Sequence, residues 1–240
     1  MANAQAVSLV PSSVNYATLA VCRGLGQQAT SAVAEISSLR KLQAGEVMFA
    51  EGDDADAVYE VVRGTLKLYK MVPNGRRQVT GFLSAGHLVG LAHENLYLYT
   101  AEAITPATVC RYPRVRFDRL VEEVPGFARR LLAATSDELR AAQDQMVLLG
   151  RKSAAEKLAS FLLMTAEDQD DGEEESDTVN IPMGRADIAD YLGLSTETVS
   201  RTLTQLKCRG VIALPTSAHI EILQRDRLEQ LAEGNLPEDF

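Results

Sequence analysis

Glu197, Ser200 and Arg201 are separated by steps of three and one, and at about 100° per residue this spacing puts them on one side of a helix with Thr204 and Cys208. A guanidinium there donates in bidentate fashion to guanine O6 and N7, and a carboxylate accepts from cytosine N4, so Arg201 and Glu197 together can address one G·C pair in a major groove. Ser200 is small enough for close approach and suits a thymine methyl or a polar base edge. Ser195, Thr196, Thr198 and Thr204 supply hydroxyls around this face, suited to phosphate or edge contacts. The competing arrangement is an i,i+4 ion pair between Glu197 and Arg201 on a solvated helix face.

The flanking sequence predicts the elements that would hold this face in place. Val199, Leu203 and Leu206 share the opposite side of the same helix and predict a packed face. Before it, Ile188, Ala189 and Leu192 form one stripe of a short helix over residues 185 to 192. Gly193 supplies a left-handed stop, and Ser195 is an N-cap for the second helix, with Glu197 near the positive end of its dipole. After it, residues 211 to 214 and 219 to 223 alternate like two short strands around a turn at 215 to 218. Helix, sharp turn, helix and hairpin together predict a winged helix-turn-helix.

This stretch resembles the C-terminal domain of the CRP/FNR family of bacterial transcription regulators, and Glu-Thr-Val-Ser-Arg at 197 to 201 is similar to the FNR-type signature. The resemblance implies that Glu197, Ser200 and Arg201 read TTGAT-like half-sites. Thr196 stands where the cyclic AMP receptor branch carries an Arg immediately before that Glu, which favours the FNR-type branch. What the resemblance implies is a dimeric regulator of low-oxygen respiration or nitrogen metabolism genes, with an inverted-repeat DNA operator and RNA polymerase as partners. Residues 73 to 76 are a candidate polymerase contact.

Two hundred and forty residues with 46% hydrophobic content are enough for two domains. No apolar run has the length of a membrane span, and the first 20 residues lack the basic start and apolar core of a signal peptide, so a soluble cytoplasmic protein is expected. A net charge of -9 runs against phosphate binding, but eight acidic residues fall within 167 to 177, a predicted solvated linker. Around the reading face, Arg201, Lys207 and Arg209 stand against Glu197 alone.

From 39 to 112, short strand-like stretches such as VYEVV and TLKLYKM alternate with glycines, predicting an antiparallel jelly roll, with a turn at Pro73-Asn74-Gly75. The arrangement resembles the family's cyclic-nucleotide-binding β-roll, so the resemblance covers about residues 20 to 230. A cyclic nucleotide phosphate needs positive donors, and residues 78 to 110 contain no Arg or Lys. Gly90 is followed by Leu91, and the family's Arg-Ser is replaced near Tyr99-Thr100, so no cyclic AMP is expected. The family's oxygen sensors hold an iron-sulfur cluster with four cysteines, whereas this chain has Cys22, Cys110 and Cys208. No cluster is expected, which is the FixK-like pattern, and Cys110 is read as a small buried apolar residue. His87, His93 and His219 are too scattered for a metal site, and no nucleophile and base constellation marks an enzyme.

Between the two halves, Ala128, Leu132, Thr135, Leu139, Ala142, Met146 and Leu149 recur at spacings of four and three, a heptad-like seam on a predicted dimerisation helix. Gly150 is expected to break it before another amphipathic helix over 153 to 166. Cys208 lies eleven residues after Glu197, about 1100° on, and so borders the reading face. With Lys207 and Arg209 beside it, Cys208 is a candidate redox switch whose oxidation adds polar bulk near phosphates.

The expected class is α+β. It comprises a disordered segment at 1–20, a cyclic-nucleotide-binding-like β-roll at 21–122, a dimerisation helix at 123–150, a winged helix-turn-helix at 151–230 and a tail at 231–240. The alternative is an effector-dependent regulator whose roll binds a small molecule other than cyclic AMP.

Overall fold

A computed structural model describes residues 19, 21–22, 24–91, 95–169 and 177–236. Most of the N-terminal segment, His93, most of the acidic linker and the last four residues of the tail therefore lie outside the described residues. The chain divides into two compact units, one of Met1–Lys70 with Thr80–Leu139, the other of Met71–Val79 with Arg140–Phe240.

Helix α1 (Gln27–Ile36) leads into eight strands, β1 (Ser38–Leu42), β2 (Val47–Phe49), β3 (Ala57–Arg63), β4 (Leu66–Met71), β5 (Arg77–Leu83), β6 (Leu88–Val89), β7 (Thr100–Ala103) and β8 (Ala107–Pro113). They pair antiparallel in two four-stranded sheets, ordered β1-β8-β3-β6 and β2-β7-β4-β5, the jelly roll that the strand and glycine pattern predicts. Strand β3, AVYEVVR, is buried through its first five residues, because Ala57, Tyr59 and Val61 face the core between the sheets while Val58 faces a second core under the helices. Glu60 lies on that second side opposite Cys110, its cross-strand partner, and accepts a 3.2 Å hydrogen bond from the Tyr112 hydroxyl. A carboxylate buried in this way needs such a donor. The Asn74-Gly75 turn closes β4 and β5 as predicted: Val72 donates to the Arg76 carbonyl at 2.9 Å, and Arg76 donates to the Asn74 side chain at 3.0 Å.

Two helices follow, α2 (Arg114–Glu123) and α3 (Phe127–Arg151), the latter 25 residues and so about 37 Å long. Gly150 does not end it. The boundary falls at Ser153, whose side chain and that of Glu156 make a reciprocal capping box that starts α4 (Ala154–Glu167). Along α3, Leu132, Leu139 and Met146 are 67%, 60% and 70% exposed, at intervals of seven residues. Leu149, placed on the same seam by the heptad count, is instead partly buried and packs beside Gly193.

The second unit adds β9 (Thr178–Asn180), α5 (Arg185–Leu192), α6 (Thr196–Cys208), β10 (Ile212–Ala213), β11 (His219–Ile222) and α7 (Arg225–Ala232). Strands order as β10-β11-β9, so the expected two-stranded hairpin is part of a three-stranded antiparallel sheet. No described helix is long and apolar enough to cross a membrane.

Candidate nucleic-acid interface

Helix α6 separates its two faces completely. Val199, Thr202, Leu203 and Leu206 are 0 to 4% exposed, whereas Glu197, Ser200, Arg201, Thr204 and Cys208 are all exposed. Gly193 ends α5 at φ 63° and ψ 38°, a left-handed conformation that glycine adopts without strain, and this sets the sharp turn between the helices. The Ser195 hydroxyl accepts from the Thr198 amide at 3.1 Å, the N-cap predicted from sequence, and Glu197 occupies the first turn. A residue assigned to a DNA-supporting role thus already holds the helix start, and its hydroxyl also pairs with Thr198 Oγ1 at 2.8 Å.

The competing arrangement, an ion pair between Glu197 and Arg201, is not formed: among the described residues neither side chain has an ion-pair partner within 4 Å. Their carboxylate and guanidinium are therefore available to an outside ligand. Ser200 and Thr204 turn their hydroxyls back to the Thr196 and Ser200 carbonyls at 2.9 Å, so each presents its carbon surface outward until that bond is exchanged. In the wing, Thr216 Oγ1 accepts from the Ala218 and His219 amides at 3.2 and 3.1 Å and pins the turn.

Helix α5 is held from segments distant in sequence. Arg77 bonds Asp187 through Nη2 at 2.8 Å and Asp190 through Nε at 2.9 Å. The Gln78 and Gln145 amides donate to the Asp190 and Tyr191 carbonyls at 2.7 and 2.8 Å. The sequence alone does not point to these three residues, since nothing local signals contacts across 110 to 113 positions for Arg77 and Gln78 or across 46 for Gln145.

Within the roll, the Gly90 amide and the Thr100 hydroxyl are engaged by the chain itself. The Gly90 amide donates to the Tyr99 hydroxyl at 3.1 Å, and Thr100 Oγ1 accepts from the Glu51 amide at 3.0 Å. Burial pushes the Tyr99 phenol up to about 12. Gly90 sits at φ 84°, and a Cβ added there would lie 3.0 Å from the Tyr97 ring. Phe49 stacks on Tyr97 with ring centroids 3.7 Å apart and touches Tyr59 and Tyr99.

Cys22 and Cys110 share one buried core cluster, and burial raises both thiols, Cys22 to about 12. Cys208 is exposed at the last position of α6. A thiol-reactive dye is expected to label one cysteine per chain in the native protein and three after denaturation, with Cys208 as the early site by peptide mapping. Native labelling of Cys22 would contradict the buried placement. His87 and His219 are exposed, and no group of three metal-ligating side chains occurs among the described residues.

A two-sheet roll joined in one chain to a winged helix-turn-helix, with an outward Glu-Ser-Arg face on the second helix, is the architecture of a DNA-binding transcription regulator. Residues 156–231 match the Crp-like helix-turn-helix domain, and residues 39–124 match the cyclic nucleotide-binding domain. The chain is 41% identical over 215 residues to the nitrogen fixation regulation protein FixK of Bradyrhizobium diazoefficiens, covering 90% of each. It is 39% identical over 214 residues to the transcriptional activatory protein AadR of Rhodopseudomonas palustris, covering 89% of each. The solved structure of FixK2 from Bradyrhizobium japonicum superimposes with a TM-score of 0.76 at 36% identity, covering 82% of this chain and 97% of that one. The chain belongs to the CRP/FNR family of transcription regulators, in its FixK-like branch.

Proposed function

We propose that the protein acts as a homodimer on inverted TTGAT-like half-sites, controlling genes of low-oxygen respiration or nitrogen metabolism from the cytoplasm, with RNA polymerase as its partner. The observation that carries this reading is the unpaired, exposed Glu197 and Arg201 flanking Ser200 on a helix whose other face is fully buried. Two such helices related by a two-fold axis address two half-sites about one DNA turn apart. Residues 73 to 76, all exposed, are the candidate polymerase contact. A gel shift on a duplex carrying two inverted TTGAT half-sites, against the same duplex with both scrambled, tests the reading. Equal binding to the two duplexes would overturn it.

The roll takes no cyclic nucleotide in this reading, because the residues present do not fit one: the Gly90 amide is spent on Tyr99, aromatic rings fill the interior, and no cation lies between residues 78 and 110. Calorimetric titration with cyclic AMP is expected to give no binding heat and no change in Tm. A ligand at 100 times its Kd would add about 2.7 kcal/mol of stability. Nor do the cysteines fit an iron-sulfur cluster, since Cys22 and Cys110 lie buried as raised thiols in the first unit while Cys208 lies on α6. The exposed Cys208 instead supports redox modulation of DNA binding. Peroxide treatment is expected to weaken operator affinity roughly tenfold, about 1.4 kcal/mol, and Cys208→Ala to keep full affinity in both states. Unchanged affinity with Cys208 oxidised by mass spectrometry removes the switch.

A further inference from the structure

We propose that Arg77 and Gln78 are positioning residues for operator recognition, fixing the first helix of the helix-turn-helix and through it the reading helix. The inference rests on the DNA-binding role of α6. Residues Met71–Val79, which run from the last residue of β4 through the turn into the start of β5, belong to the same compact unit as the helix-turn-helix. From the first position of β5, Arg77 spans two successive acidic positions of α5, with Asp187 and Asp190 side chains only 15% and 31% exposed. The bonds leave through different nitrogens, Nη2 and Nε, so one planar group sets the rotation of the helix as well as its distance.

Gln78 works at the end of the same helix. The last turn of a helix leaves carbonyls without intrahelical donors. Here the Gln78 Nε2 group lies 2.7 Å from the Asp190 carbonyl and 3.4 Å from that of Tyr191, and Gln145 lies 2.8 Å from the latter. These donors act immediately before Gly193, where the chain turns into α6. A change in how α5 is rotated therefore displaces the start of α6, and with it the Glu197, Ser200 and Arg201 face. None of Arg77, Gln78 or Gln145 lies on α6 itself, so their contribution is to placement rather than to base contact.

The test measures affinity of the full chain for the inverted TTGAT duplex and for a scrambled duplex, and repeats the first with spacers one base pair shorter and longer. Arg77→Ala is expected to lower specific affinity about five- to twentyfold, to leave scrambled-duplex affinity unchanged and to flatten the spacer preference. Arg77→Lys recovers only part of the loss, because an ammonium cannot span both carboxylates in a plane. Combined with Asp187→Asn, Arg77→Ala adds less than the product of the single effects. Gln78→Glu, which keeps size and replaces the amide donor with a carboxylate, gives the same pattern and serves where Arg77→Ala folds poorly.

The proposal is overturned if both variants match wild type in affinity and spacer preference, if the Arg77 and Asp187 effects multiply independently, or if specific and scrambled binding fall together with Tm. Arg201→Ala in parallel separates the two ideas: no effect there refutes the reading of α6 itself, whereas an effect there with none at Arg77 refutes only the positioning role.

Discussion

Arg201→Ala is expected to lower affinity for the inverted TTGAT duplex by about 30- to 20,000-fold while leaving the fold intact. A bidentate guanidinium contact to a base is worth about 1 to 3 kcal/mol, and a two-fold dimer makes it twice, which gives about 2 to 6 kcal/mol on a scale where 1.4 kcal/mol is tenfold. Arg201 is exposed and has no ion-pair partner among the described residues, so truncating it leaves no buried charge uncompensated. Stability should accordingly stay within about 0.5 kcal/mol of wild type. The salt dependence distinguishes base reading from simple attraction. Losing a phosphate contact reduces the slope of log K against log salt by about one unit per contact, whereas losing a base contact leaves the slope nearly unchanged and relaxes preference at one position. A filter-binding series at several salt concentrations, with each half-site G·C pair substituted in turn, measures both. Full affinity in Arg201→Ala, or uniform weakening across all sequences, rules out the assignment.

The exposed polar face of α6 was legible because everything that creates it is local. The 3.6-residue period sorts Val199, Leu203 and Leu206 from Glu197, Ser200 and Arg201, while Gly193 and Ser195 mark the turn and cap within a few residues. The jelly roll was legible for a related reason, since short apolar stretches punctuated by glycines leave few alternatives. What escaped depends on distant partners. Arg77 meets Asp187 and Asp190 across 110 and 113 positions, and Glu60 in the core accepts a hydrogen bond from Tyr112, 52 residues on.

Helix α3 shows local signals competing. Gly150 costs about 1 kcal/mol in a helix, yet the chain continues through it because Leu148 is buried beyond the exposed seam and the Ser153 capping box defines the next start instead. Strand β9 has only three residues beside an acidic run, too short for alternation to be seen, and is specified by its pairing with β11.

Leu139→Asp is expected to convert a dimer into a monomer without unfolding it. On α3, Leu132, Leu139 and Met146 project at intervals of seven residues and are each at least 60% exposed, an apolar stripe that nothing among the described residues covers. Thr135, partly buried on the same seam, donates its hydroxyl to the Leu131 and Leu132 carbonyls at 3.0 and 2.9 Å, so its polar group is satisfied within the helix. Fully burying one such large side chain contributes about 1.5 to 3 kcal/mol, and a symmetric pair of helices counts three of them twice. The gross gain of roughly 10 kcal/mol or more stands against an association cost of about 4 to 15 kcal/mol, so the dimer depends on each residue of the stripe. Leu139→Asp removes two buried leucines and sets two carboxylates near the two-fold axis, and a loss of about 4 kcal/mol raises the dimer Kd about a thousandfold. Because Leu139 is 60% exposed in the chain itself, thermal unfolding of the isolated monomer should change little. Sedimentation velocity at micromolar concentration reads the mass, and a duplex with one half-site separates the consequences for DNA. The monomeric variant should bind one half-site as wild-type monomer does and lose the advantage of a second. A wild-type chain that is monomeric both free and on the two-site duplex, or a Leu139→Asp variant that stays dimeric, would remove α3 as the dimer seam.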